Sequence, residues 1–144
     1  MKRLLLCLFL TAWLPDTASA GDPAGIVVIV NPASGIDQLT KDQVIDIFLG
    51  RYRKLPSGRA ALPIDLTETN RARASFYLLL VKKSLPEISS YWARLVFSGQ
   101  TSPPFQVPDA KTAVELVESN PNAIAYVDRA SVNERVKVVL EVGP

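Results

Sequence analysis

The stretch from Ile47 to Phe76 constrains this chain most, because it sets a helix end, a basic hairpin, a strand and a second helix start in unbroken succession. Upstream of it, Thr40 and Gln43 have the Thr-x-x-Gln spacing of a capping box, and Val44, Ile45, Phe48 and Leu49 fall on one apolar stripe. With Gly50 as a C-terminal stop, this predicts a helix over residues 41 to 49. Arg51 to Arg59, folded around Pro56-Ser57-Gly58, reads as a polar hairpin or flap, and Ala61 to Leu66 reads as a strand. Thr67 can then cap a helix from about 68 to 83. Its core face carries Ala72, Phe76, Leu79 and Leu80, and Lys82 and Lys83 lie in the last turn, where positive charge suits the helix dipole.

The rest of the chain keeps the alternation. Ile26 to Val30 is an uninterrupted β-branched run, as expected of a strand covered on both faces, and Asn31 to Gly35 turns the chain after it. Ser84 and Pro86 start a helix with Ile88, Trp92, Leu95 and Val96 on one face, ending at Gly99, and Trp92 and Phe97 are assigned to the core. Gly99 to Pro108 is loop by composition. Asp109 caps a short helix with Ala113, Val114 and Val117 inward, and Ala123 to Val127 and Val136 to Val142 are strands. Strands separated by amphipathic helices predict an α/β layered domain: a mixed or mainly parallel sheet flanked by helices.

The amino terminus has the parts of a secretory signal peptide. Lys2-Arg3 is a positive n-region, Leu4 to Leu14 an apolar run, and Ala18-Ser19-Ala20 a small-residue cleavage site before Gly21. An uncleaved anchor needs about 20 apolar residues, and Pro15-Asp16 interrupts the run before that length. Cys7 stands at the start of the apolar run rather than its end, against a lipoprotein site. The expectation is a signal peptide over residues 1 to 20, export to a bacterial periplasm, and no transmembrane segment in the mature chain. Of 144 residues, 124 remain after that cut, enough for one compact domain over residues 21 to 144. Removing Lys2, Arg3 and Asp16 from 16 basic and 14 acidic residues leaves 14 and 13, a balance that gives no reason to expect nucleic acid.

The residue types that are missing narrow the chemistry. The chain has no histidine, and its one cysteine, Cys7, lies in the signal segment. Ser-His-Asp and Cys-His catalysis are excluded, zinc and copper lose their usual ligands, and no Asp-x-Asp-x-Asp calcium loop is present. The acidic residues look scattered over exposed helix faces. The expectation is therefore a protein that is not an enzyme and carries no metal or other cofactor.

Several segments in this order resemble the phosphate-type substrate-binding proteins of ABC transporters. They are Ile47-Phe48-Leu49-Gly50 at a helix end, Arg73 three residues before Phe76, Tyr91-Trp92, Leu95 to Gly99, Pro103-Pro104, and Pro121 to Val127, which is similar to that family's Gly-Ile-Gly-Tyr-Val strand. The resemblance covers nearly the whole mature chain and implies a single periplasmic-binding-protein-like lobe, where complete members have two. It also implies an oxyanion, phosphate first, held at a helix N-terminus. If Phe76 matches the family's Phe, the family's Ser-Gly-Thr falls on Asn70-Arg71-Ala72, and a ligand-binding Arg of the family falls on Leu66.

Candidate ligand residues follow from where such folds bind. Open α/β sheets place ligands beside the carboxyl ends of strands, next to helix N-termini whose amides attract anions. Two loops answer: Ser34-Gly35 after the first strand, and Thr67, Thr69, Asn70, Arg71 and Arg73 after the second. Thr67 serves equally as a plain helix cap, and Arg71 and Arg73, at helical spacing, have the alternative of being solvated or paired with Asp65 and Glu68. The basic cluster Arg51, Arg53, Lys54 and Arg59 is either a solvated flap or a surface for an anionic partner or a lipid surface. Two function classes result. One is a lobe that binds phosphate or another small oxyanion weakly. The other is a non-transport periplasmic interaction or adaptor protein, paired with an envelope protein or with a second copy of itself.

Overall fold

A computed structural model of the chain describes residues 25–143. The signal-peptide reading of residues 1 to 20 lies outside them. The described chain forms one five-stranded mixed sheet with four α-helices. The strands are β1 (Ile26–Val30), β2 (Leu62–Leu66), β3 (Phe105–Val107), β4 (Ala123–Asp128) and β5 (Lys137–Glu141); the helices are α1 (Lys41–Phe48), α2 (Arg71–Val81), α3 (Leu85–Phe97) and α4 (Ala110–Ser119). Sheet order is β3-β2-β4-β1-β5. β2 runs parallel to both β3 and β4, whereas β1 is antiparallel to both of its neighbours, β4 and β5.

All five residues of β1 and the first five of β4 are buried. Because alternate strand residues face opposite ways, both sides of the sheet must be covered. α2, joined by α1 and α3, supplies one layer over β1, β2 and β4, and α4 packs on β1 through β4. Phe48 of α1, Phe76 of α2 and Tyr126 of β4 meet in this core, with Phe76 and Tyr126 stacked at 3.7 Å between ring centroids.

Local chemistry sets most boundaries. Thr40 and Gln43 form the expected reciprocal capping box, and Ser84 and Glu87 form a second one at α3. Asp109 caps α4 by accepting from the Thr112 amide at 2.8 Å. Gly50 ends the first helix at φ 71, and a Cβ there would stand 2.9 Å from Trp92. The hairpin after it is closed by an antiparallel bridge between Lys54 and Ala60, with Leu55 buried beneath.

Four expectations are corrected. α2 starts at Arg71 rather than near residue 68, and its cap is Asn70, not Thr67, because the Thr67 amide donates to the Val107 carbonyl at 3.1 Å and so prolongs the β2–β3 ladder. The segment Gly99 to Pro108 contains β3: Pro103, Pro104 and Pro108 flank a three-residue edge strand and gave it the composition of a loop. Phe97 is 96% exposed, at the last residue of α3, while Trp92 is buried as expected. The expectation that the acidic residues are scattered over exposed helix faces fails for Asp65, which is enclosed within β2, the strand to which its position assigned it. Among the described residues no helix is long and apolar enough to cross a membrane.

Candidate functional site

β2 is an inner strand with β3 on one side and β4 on the other, so a polar side chain at its buried end must find partners inside the protein. Asp65 does so completely. Its Oδ2 accepts from Arg73 Nε at 3.2 Å and from the Tyr77 hydroxyl at 2.9 Å. Its Oδ1 accepts from the Leu66 amide at 2.8 Å and, in a short hydrogen bond, from the Tyr126 hydroxyl. Arg73 and Tyr77 are four residues apart on α2, which sets both on the helix face turned to β2. Tyr126 reaches across from β4 and is held in place by the stacked Phe76.

The result is a closed charge cluster. Asp65 is 1% and Arg73 4% exposed, and both tyrosines are fully enclosed. The Arg73 guanidinium lies 5.6 Å from the Tyr77 ring centroid, and its Nη1 has no hydrogen-bond partner, the Glu68 carboxylate standing 3.7 Å away. Burial, and then the charge of Asp65 and the hydrogen bond to it, push the Tyr77 hydroxyl well above the ordinary tyrosine range; Tyr126 is raised for the same reasons. Burial would by itself lower Arg73, but the charge of Asp65 and the hydrogen bond to it outweigh that and raise it. The cluster is therefore a carboxylate ringed by one guanidinium, two phenols and one amide. Raised in this way, Arg73, Tyr77 and Tyr126 keep their donating protons across the physiological range.

The structure separates the two loops expected to share a ligand. Val30 of β1 pairs with Ile124, near the start of β4, and β2 runs parallel to β4. Ser34 and Gly35 therefore stand at the end of the sheet opposite to Leu66, since β1 runs against its neighbours. Ser34 is buried and its Oγ accepts from the Ile36 amide at 3.3 Å; Gly35 takes φ 80 beside Ser57. Thr67, Thr69, Asn70, Arg71 and Arg73 do cluster at the start of α2. There the Asn70 side chain accepts from the Ala72 amide at 3.0 Å and its carbonyl accepts from the Arg73 amide at 3.1 Å, which occupies two of the first three helical amides. Thr67 and Thr69 hydroxyls lie 3.4 Å apart at the surface, and Arg71 is exposed.

Tyr77 and Tyr126 are site residues that the sequence expectations do not include, and Asp65 enters there only as a partner for Arg71 or Arg73. The signal was present: a carboxylate between Ile64 and Leu66 in an apolar strand has to be paired. Arg73 and Tyr77 at helical spacing were its available partners. Among the described residues no group of three or more acidic side chains is placed to hold a metal ion.

Comparison with known proteins supports the fold. No protein-family model matches the chain, and no curated protein matches it. Among solved structures, it is similar to an ABC-type phosphate transport receptor from Vibrio cholerae, at TM-score 0.64 and 19% identity over 80% of this chain and 45% of that one. It is also similar to a putative phosphate ABC transporter substrate-binding protein with bound phosphate from Clostridium perfringens, at TM-score 0.62 and 20% identity over 80% and 44%. PstS from Borrelia burgdorferi is matched at TM-score 0.60 and 15% identity, over 80% and 46%. These neighbours are transport receptors and binding proteins by description, not enzymes. The chain spans under half of the length of each, and what the likeness establishes is an α/β fold equivalent to about one lobe of the phosphate-type substrate-binding proteins.

Proposed function

We propose that this is an exported, solute-binding-like protein that works by protein contact rather than by carrying a solute, the anion corner of its fold being filled by its own Asp65. The observation that supports this is the convergence of Arg73, Tyr77, Tyr126 and the Leu66 amide on one buried carboxylate. These are the donor types that an oxyanion needs. Here they are satisfied by a group that belongs to the chain. Export to the periplasm rests on Lys2-Arg3, the apolar run Leu4 to Leu14 and Ala18-Ser19-Ala20. The partner under this reading is an envelope protein or a second copy of the chain.

A second reading is weak capture of phosphate or another oxyanion at the surface of the α2 start. It is favoured by the paired Thr67 and Thr69 hydroxyls beside half-buried Asn70 and exposed Arg71, and by the phosphate named for the Vibrio and Clostridium neighbours. Thermal unfolding against phosphate, sulfate and chloride at matched ionic strength separates the two. A ligand at about 100 times its Kd stabilises by about 2.7 kcal/mol, or roughly 8–12 °C for a domain of this size. The expected result is no phosphate-selective rise at millimolar anion. A selective rise of several degrees, lost in Arg71→Ala, overturns the protein-contact reading.

A further inference from the structure

At the end of the sheet away from Asp65, the basic hairpin and the start of β3 enclose an open groove of about 270 Å³. Trp92 and Gly50 line it, and Tyr52, Leu62 and Phe105 contribute apolar surface. Those three are 57%, 37% and 58% exposed, and they form the one place where the large exposed apolar side chains of the described residues gather on strands and a loop. Exposed apolar surface of this kind, concave and rimmed by polar groups, marks a docking site more often than a bare patch.

The rim is positive. Arg53, which lines the groove, is held against it by hydrogen bonds to the Gln100 carbonyl and the Thr101 hydroxyl. Lys54 and Arg59 are exposed and form no ion pair among the described residues, whereas Arg51 is answered by Asp46 at 3.5 Å. The groove also borders β3, an edge strand that has β2 on one side and no strand on the other. An edge of this kind offers main-chain donors and acceptors to an extended segment.

We propose that this groove binds an extended peptide segment of a partner protein, in which acidic residues flank an aromatic or aliphatic anchor. The anchor sits between Tyr52, Leu62 and Phe105 over Trp92, and the acidic residues meet Arg53, Lys54 and Arg59. Charge complementarity selects this occupant over a second copy: a two-fold contact through the same face would set the basic rim against itself. The concavity selects it over a lipid surface, which would meet a flat basic face rather than a pocket for one side chain. The inference rests on the protein-contact reading and names its surface.

The test uses the protein expressed from its full coding sequence and purified as the cell processes it, panned against random displayed peptides. Acidic sequences with an aromatic or leucine anchor should be enriched, and a fluorescent copy of the consensus should bind. Phe105→Glu should weaken that binding by about thirtyfold, the effect of losing an interface hot spot. Arg59→Glu should weaken it several-fold and flatten its salt dependence, and Arg71→Glu, at the far end of the sheet, should leave it unchanged. Unaltered melting of each variant shows that the fold is intact. Enrichment of basic or purely polar peptides, no enrichment, or binding indifferent to Phe105→Glu overturns the proposal. So does a concentration-dependent dimer abolished by Phe105→Glu, or sedimentation with phosphatidylglycerol vesicles that Phe105→Glu and Arg59→Glu abolish. If crosslinking recovers a partner that Phe105→Glu still binds, the groove falls and the protein-contact reading stands; the phosphate titration judges that reading separately.

Discussion

Asp65→Ala tests the central claim about the α2 corner most directly. The substitution removes the acceptor shared by Arg73, Tyr77, Tyr126 and the Leu66 amide. It leaves a guanidinium that is 4% exposed with only the Glu68 carboxylate, 3.7 Å from Nη1. Breaking a buried pair by deleting one partner costs about 3–5 kcal/mol, and each orphaned hydroxyl adds to this less than additively because all share one site. A loss of about 4 kcal/mol lowers Tm by roughly 12–16 °C in a domain of this length.

The size of the fall alone would not distinguish an anion cage from an ordinary buried pair, so the assay includes rescue. Removal of the carboxylate leaves its donors in place around a small void, which formate or acetate can enter. At about ten times its Kd, a bound carboxylate returns close to 1.4 kcal/mol, or roughly 4–6 °C. Melts of Asp65→Ala in formate should rise over matched chloride, while the parent protein shows no difference. A fall below about 1 kcal/mol would refute the buried-pair accounting. A fall of the expected size with no formate-selective recovery would refute the cage.

Two further outcomes follow from the same core. Tyr77 and Tyr126 are raised above the ordinary tyrosine value in the folded state, so their contribution is whole below a pH of about 10 and is lost as pH climbs beyond it, when the unfolded chain ionises first. Two such groups give a slope of about 2.7 kcal/mol per pH unit, to be read from urea midpoints at stepped alkaline pH; stability that stays level over that range contradicts the assignment. Gly50→Ala puts a side chain where φ is 71 and where Trp92 stands 2.9 Å from the new Cβ; a destabilisation of about 3 kcal/mol is expected from left-handed strain plus overpacking, and a loss under about 1 kcal/mol in denaturant melts would show that α3 shifts to admit it.

Features that close within a few residues were legible in the sequence. The Thr40–Gln43 box, the Gly50 stop, the Asp109 cap and the Lys54–Ala60 hairpin all rest on contacts between near neighbours, and β1 was legible from its own β-branched residue types. What was not legible depends on partners distant in the chain. Nothing in Ile26 to Val30 states which way it runs relative to β4, yet that direction alone decides that Ser34-Gly35 and Thr67 to Arg73 lie at opposite sheet ends. β3 exists because β2 is there to pair with it, against a proline-rich local preference. Thr67 and Asn70 are both competent caps by residue type, and the choice between them was made by Val107, which claimed the Thr67 amide. That Arg73 could pair with Asp65 was readable from their types and spacing, but that the pair lies buried inside the sheet was not, because the enclosing residues come from other elements.

That last pairing also decides whether the corner could take an anion from solution. A free phosphate competing for Arg73, Tyr77 and Tyr126 would have to displace a carboxylate that is covalently held beside them and pays no translational entropy to be there. The displaced Asp65 would have no exit. Its neighbours Ile64 and Leu66 are buried, β2 is paired on both sides, and turning the side chain to the other face requires a register change of the whole strand. With both groups inside, a dianion and a carboxylate would share one guanidinium in a region of low dielectric, where like charges repel far more strongly than in water. Side-chain rearrangement cannot relieve that, so under the proposed reading only substitution of residue 65 itself would open the corner, and the working surface has to be sought elsewhere on the fold.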